Sequence, residues 1–297
     1  IHEIINYRNA IRAAVDSLRT RPICLNLFKE VHSILLDSVR GRDKARGEFR
    51  REQVFIGAPR SKIEEATFVP PEPLSLEKHL RNLESYVHYD EEDRLVQLAV
   101  FHAQFELIHP FLDGNGRVAR LMSHAMLKDA LDTGAVWSVA RGLARAEGRY
   151  KQHLAAADLT RRNDLDGRGN LSEEALADFT AFFIEVAIDQ VSFMRGLIEP
   201  ARLRSRIALW AEEETRAGAL PPKSGQVLEA LLYRGELPRG EIPALLGIGD
   251  RQARRITAEL IKAGVVTAET SKSPLKLAFP ARLAGRWMPG LFPERAD

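Results

Sequence analysis

Twelve consecutive residues, His109-Pro110-Phe111-Leu112-Asp113-Gly114-Asn115-Gly116-Arg117-Val118-Ala119-Arg120, gather side chains able to handle a phosphate group. An imidazole titrates near neutrality and can act as a general base, the use open to His109. Asp113 offers hard carboxylate oxygens of the kind Mg²⁺ takes beside phosphates. Gly114 and Gly116 have no Cβ, so their backbone N–H groups can approach an anion and φ can turn positive. A helix starting near Asn115 carries unpaired N–H donors and about half a positive charge at that end, where phosphate is the natural guest. Arg117 and Arg120 are three apart and project from one side of the first turn. Their forked guanidinium groups suit phosphate oxygens.

Two helices must hold this segment. An apolar stretch through Leu95, Leu98, Ala99, His102 and Phe105 runs into Ile108 and stops at Pro110, which cannot continue the hydrogen-bond ladder. The next helix continues through Val118, Leu121, Met122, Ala125 and Met126. Similar spacing predicts helices over 1–19, 23–39, 74–88, 92–108, 115–131, 142–158, 172–196 and 199–217. Residues 50–69 differ: strand formers bounded by Gly47 and Gly57, then Thr67-Phe68-Val69 halted by Pro70-Pro71. Propensity alone allows a short hairpin or an irregular loop there. Gly218-Ala219-Leu220-Pro221-Pro222 reads as a linker, giving domains 1–217 and 218–297. Beyond it come helices at 224–234 and 239–246, a turn at Gly247-Ile248-Gly249, and a third helix over 251–263 with Asp250 as N-cap and Gly264 as its stop. Short strands at 265–267 and 275–279 complete an order that resembles a winged helix-turn-helix. The expected fold class is mainly α.

Composition is that of a globular chain, and 43 Lys and Arg against 41 Asp and Glu give no global field that demands nucleic acid. Cys24 is the lone cysteine and cannot close an internal disulfide, which fits a reducing, cytoplasmic setting. No apolar run is long enough to span a bilayer and no secretory leader is evident, so no membrane partner is expected. The chain opens in mid-pattern at Ile1, which suggests a segment upstream.

The segment 109–120 resembles the signature of the Fic family: His, any, Phe, any, Asp or Glu, Gly, Asn, Gly, Arg, any, any, Arg. Every defined position matches. The resemblance covers roughly residues 1–200 and implies a helical catalytic domain that moves AMP from ATP onto a Ser, Thr or Tyr hydroxyl of a protein. It implies that His109 takes the hydroxyl proton and that Phe111 anchors the loop. It implies that Asp113 holds Mg²⁺, that Gly114, Asn115 and Gly116 form the anion nest, and that Arg117 and Arg120 grip the β- and γ-phosphates. Relatives that transfer a phosphoryl group carry a lysine-containing variant where this chain has Gly116-Arg117, which favours AMP. The stretch 51–68 looks like the family's flap, which pairs with a target protein as an added strand; its tip is Arg60-Ser61-Lys62-Ile63-Glu64-Glu65. Tyr150, in Arg149-Tyr150-Lys151, resembles a segment that packs near the adenine, although an aromatic at that spacing also suits a core. The family often forms homodimers. It commonly restrains itself with a helix bearing Ser or Thr, three residues, Glu, then Gly or Asn. Ser61 to Glu65 has the spacing, but Ala66 follows, so the inhibitory helix is expected upstream of Ile1.

Other features are weaker. His102 on its apolar face reads as a satisfied core histidine. His79, His88, His124 and His153 show no metal-ligand grouping. Residues 163–170 faintly suggest a calcium loop, but Arg162 falls where the first acidic ligand belongs, so a polar loop ending at a Ser172 N-cap fits better. Arg251, Arg254, Arg255 and Lys262 fall mostly on one face of the third C-terminal helix, so residues 250–263 could bind DNA. With 12 Lys and Arg against 8 Asp and Glu over 221–297, a protein-interaction or dimerisation module fits equally. Two rivals to protein adenylylation therefore stand: a DNA-binding regulator whose Fic domain serves as sensor or dimerisation body, and a Fic enzyme that uses another nucleotide or removes AMP.

Overall fold

A computed structural model of the chain describes residues 2–37, 44–58, 60, 62–89, 93–131 and 138–291. Two compact units divide within one long helix, between Val191 and Ser192.

The first unit begins with α1 (His2–Leu18) and α2 (Leu25–Leu35). Next come α3 (Pro73–Tyr86), α4 (Arg94–Ile108), α5 (Asn115–Leu131), α6 (Val139–Arg145), α7 (Glu147–Ala156) and α8 (Glu173–Leu197), the helix in which the units divide. α4 is the central element. One side packs Phe101, Phe105 and Ile108 into a core with α1, α2, α3 and α5. The other packs Leu98, Ala99, Ala103 and Leu107 against α6, α7 and α8. A helix buried on both sides needs no polar face, so the polar residues it does bury, Gln97, His102 and Glu106, stand out. Asp93 caps its start by accepting from the Leu95 and Val96 N–H groups.

Sequence periodicity runs 142–158 together, whereas the structure breaks that stretch at Ala146. α6 lies so close to α8 at Gly142 that an added Cβ would meet Val186 Cγ1 at 2.4 Å. α7 has a different task, directing Tyr150 inward, and one straight helix does not meet both. Among the described residues the hairpin expected over 50–69 is reduced to one antiparallel bridge, Ile56 to Phe68, with a 3₁₀ turn at Ile63–Glu65. Pro70 and Pro71 have no N–H to extend the ladder, and the Gln53 side chain supplies a bond to the Pro70 carbonyl at 3.0 Å instead. Ser61 of the expected tip lies outside the described residues. In the loop 157–172, the Asp166 carboxylate accepts from Ser172 Oγ and from the Glu174 N–H, both at 2.9 Å, and Ser172 Oγ accepts from the Ala175 N–H. The loop therefore caps α8.

The second unit holds α9 (Pro200–Arg216), α10 (Ser224–Arg234), β1 (Glu236–Leu237), α11 (Ile242–Leu246), α12 (Asp250–Lys262), β2 (Val266–Thr267), β3 (Leu275–Leu277) and α13 (Ala284–Trp287). The sheet order is β1-β3-β2, antiparallel, with Leu237 opposite Leu275 and Val266 opposite Leu277. Gly247 ends α11 at φ 59, and the N-cap of α12 is Gly249, one residue before the expected Asp250. Sequence reading places the break between domains at 218–222. In the structure α9 gives Leu203, Ile207, Trp210 and Ala211 to the same core as α10, α12 and Trp287. Among the described residues no helix is long and apolar enough to cross a membrane.

Candidate functional site at the amino end of α5

α4 ends at His109, whose backbone is left-handed at φ 50 and ψ 60, with its N–H on the Phe105 carbonyl. That conformation costs a non-glycine residue roughly 1–2 kcal/mol, so the surroundings must impose it. Arg50 does so. Buried to 2% exposure, its side chain donates to the His109 carbonyl at 2.9 Å, the Ile108 carbonyl at 3.4 Å, the Glu52 carbonyl at 3.2 Å and the Pro71 carbonyl. Its own N–H donates to the Pro110 carbonyl at 2.9 Å. One guanidinium thus satisfies the open end of α4 and ties it to both ends of the 51–68 segment.

The loop that follows is pinned at two further points. Phe111 is fully buried and stacks on His32 with centroids 3.8 Å apart. His32 Nδ1 accepts from the Gly47 N–H at 2.9 Å, so its Nε2–H donates to the Asp113 carbonyl at 3.0 Å. Asn115 is also buried, and its side-chain amide closes a reciprocal pair with the Phe111 backbone, 2.8 Å in each direction. Its side chain therefore braces the loop and is not offered to a ligand. Gly114 sits at φ 84, as a turn into a helix requires. Gly116 does not have positive φ. A Cβ there would stand 3.1 Å from both Arg120 Nη1 and Glu106 Oε1, so its glycine leaves room for that pair of side chains.

The resulting concentration of charge is directional. The first intrahelical bond of α5 runs from the Val118 N–H to the Gly114 carbonyl at 3.0 Å. The N–H groups of Asn115, Gly116 and Arg117 precede the ladder, as at any helix start. Asp113 Oδ1 accepts from the Gly114 N–H at 2.6 Å and from Arg117 Nη2 at 3.4 Å. Arg120 points the other way, where its charge acts on Tyr7, His102, Glu106 and Tyr150. His109 Nδ1 lies 3.3 Å from the Glu106 carbonyl oxygen, so the proton sits on Nδ1 and Nε2 keeps its lone pair. Burial, with a smaller push from Arg50, holds His109 below its ordinary value. A neutral imidazole with a free Nε2 is what a general base requires.

The structure therefore brings His109, Asp113, Gly114, Gly116, Arg117 and Arg120 to one helix start. Tyr150 is placed behind them: it is buried, and its hydroxyl lies 3.0 Å from both His102 Nε2 and Glu106 Oε1. Sequence reasoning missed Arg50, His32 and Glu106. Glu106, the one acidic residue of α4, left a usable signal. Arg50 and His32 act across 59 and 81 positions and leave no local trace. Among the described residues no group of three or more His, Cys, Asp or Glu could hold a metal. Mg²⁺ commonly binds through one or two carboxylates together with substrate phosphates and water, and Asp113 at an anion site fits that donor set.

A family model described as Fic/DOC family matches residues 22–127, which contain the whole segment 109–120. The protein adenylyltransferase Fic of Drosophila grimshawi is 34% identical over 87 residues, covering 28% of this chain and 16% of that protein. The same-named protein of Drosophila persimilis is 36% identical over 87 residues, covering 28% and 15%. The chain thus spans only about a sixth of the length of these relatives. A crystal structure of a Fic family protein from Desulfovibrio desulfuricans G20 aligns over 95% of this chain and 77% of that one, with a TM-score of 0.52 at 18% identity, a likeness of fold. Residues 22–127, which hold the left-handed histidine, the braced loop and the two arginines, thus match the Fic/DOC family as a domain within this chain.

Proposed function

We propose that the chain is a protein adenylyltransferase that moves AMP from ATP to a Ser, Thr or Tyr hydroxyl and releases pyrophosphate. One observation carries the reading: the amino end of α5 offers N–H groups outside the helix ladder beside Asp113 and Arg117, with Arg120 one turn on, directly after a neutral His109 whose Nε2 keeps its lone pair. The triphosphate would lie along this end, with the β-phosphate on Arg117 and the γ-phosphate on Arg120. His109 Nε2 takes the proton as the target oxygen bonds to the α-phosphorus and the bond to pyrophosphate breaks. Asp113 would hold Mg²⁺, which supplies charge neutralisation on the phosphates. The rest is positioning and electrostatics by the chain's own groups.

The 51–68 segment would receive the target protein. Arg51, Glu52, Gln53, Phe55 and Ile56 are exposed, and only Ile56 is bridged to another backbone segment. An exposed extended stretch suits strand addition. Arg50 joins its base to His109, so a peptide held there is held in register with the base. The relatives that bear the name adenylyltransferase support the reaction class. Incubating the protein with ATP labelled at the α-phosphate and a lysate tests it: the label should enter protein, and His109→Ala should lower transfer by roughly 10²–10⁴-fold. Labelled GTP, UTP and CTP address other donors, and labelled modified protein addresses removal.

A second reading concerns the second unit. α12 exposes Arg251, Arg254, Arg255 and Lys262. A groove of about 830 Å³ beside it is lined by Arg239, Arg254 and Lys262. With the helix order and the β2–β3 pair, this supports a winged helix-turn-helix that binds DNA, with homodimers matching two half-sites. A gel-shift of the full chain whose affinity falls steeply with salt would support it; no shift at low salt would remove it.

A further inference from the structure

Four buried polar side chains stand behind Arg120, and their protons can be counted. Ser123 Oγ lies 2.8 Å from the Ala119 carbonyl oxygen and 2.9 Å from His102 Nδ1. A carbonyl has no proton to give, so the Ser123 hydroxyl proton occupies the Ala119 contact and His102 Nδ1–H donates to Ser123 Oγ. His102 is fully buried, and burial, with a further push from Arg120, drives it down to about 3. At neutral pH its ring therefore carries a single proton, on Nδ1, and Nε2 must accept. The group 3.0 Å from Nε2 is the Tyr150 hydroxyl. That hydroxyl also lies 3.0 Å from Glu106 Oε1 and accepts from the Arg120 guanidinium, which cannot take its proton. One phenolic proton cannot serve both contacts. With it given to His102, the contact with Glu106 needs a proton from the Glu106 carboxyl.

We propose that the Ser123–His102–Tyr150 chain holds Glu106 as the neutral carboxylic acid, so that the neighbouring Arg120 guanidinium stays uncompensated and open to an anionic phosphate. The inference rests on the reading of the α5 amino end as a triphosphate site. It makes Glu106 a positioning residue that acts through Arg120. Gly116 supports it, since a Cβ there would stand 3.1 Å from both Arg120 Nη1 and Glu106 Oε1. The titratable and charged groups facing the Glu106 carboxyl are Tyr150 from α7, Arg120 from α5 and His102 from α4 itself. Burial pushes Glu106 up, against the opposing pulls of Tyr150 and Arg120. The reversed order would have Ser123 donate to His102, His102 to Tyr150, and Tyr150 to an ionised Glu106. That leaves Ser123 Oγ and the Ala119 oxygen as two lone pairs 2.8 Å apart. An ionised Glu106 would also claim Arg120.

Two readouts test this in the full chain. Infrared difference spectra of wild type and Glu106→Gln at neutral pH should show a protonated-carboxyl band that the variant lacks. Tyr150→Phe, which removes the acceptor of that proton, should shift or abolish the same band. Calorimetric titration with Mg-ATP should show wild-type affinity falling about tenfold, a change of ~1.4 kcal/mol, as rising pH ionises Glu106. Glu106→Gln, whose amide donates to Tyr150 as the acid does, should lack that alkaline fall. Spectra in which Glu106→Gln removes only a carboxylate signal, or an alkaline fall identical in both proteins, would overturn the proposal. If wild type binds no triphosphate, the site reading fails and the infrared comparison still decides the state of Glu106.

Discussion

At the scale of the residue, Arg50 shows how much of a catalytic loop can depend on a side chain outside it. Its guanidinium closes carbonyls from Ile108, His109, Glu52 and Pro71. Each buried carbonyl left orphaned costs ~1–3 kcal/mol. Arg50→Ala should therefore lower the urea midpoint clearly and release the left-handed turn at His109, with transfer falling even where the variant stays folded. A variant with unchanged midpoint and activity would refute the clamp. His102 gives a second test. Its folded value of about 3 lies below its ordinary 6.5, so the unfolded chain takes up the extra proton first. The stability this contributes is complete above about 6.5 and is lost as pH falls toward 3. The thermal midpoint should decline across that window, and His102→Gln, with no proton to gain there, should flatten the decline. The contiguous part of the site, His109 to Arg120, was legible because one helix start needs its groups in one stretch. Arg50 and His32 were not, because folding alone brings them to the loop.

At the scale of the element, the helix start of α5 works because two glycines do different things. Gly114 takes a positive φ, whereas Gly116 keeps space clear between α4 and the arginine one turn on. Gly116→Ala should cost ~1–3 kcal/mol through overpacking and displace Arg120, weakening triphosphate more than AMP in calorimetry. Equal loss for both nucleotides would contradict that assignment. The helices were largely readable from apolar spacing, and so were the turn between α11 and α12 and the two strands that follow it. The break at Ala146 was not, because it follows from the approach of Gly142 to α8, a tertiary demand that local periodicity does not carry. The single bridge in the 51–68 segment also escaped propensity, since what limits pairing there is Pro70 and Pro71 at its base. β1 has two residues, too short for any pattern.

At the scale of the whole molecule, each of the two units is built on buried clusters of its own, and α9 belongs to that of the second. A fragment of residues 218–297 would lack Leu203, Ile207, Trp210 and Ala211 from that core. It should melt well below a fragment of residues 192–297 in circular dichroism, since deleting even one large core side chain costs ~2–5 kcal/mol. Equal midpoints would show that α9 contributes nothing. The glycine-proline stretch at 218–222 drew attention because turns are visible in sequence, whereas shared burial of α9 is visible only in three dimensions. In the first unit, the amino end of α5 is proposed to seat a triphosphate beside His109. This is tested most directly by transfer from ATP labelled at the α-phosphate, comparing the full chain with His109→Ala. Labelled protein is expected with the wild-type chain and almost none with the variant. Equal labelling by both, or label that enters only from the γ-phosphate, would contradict it.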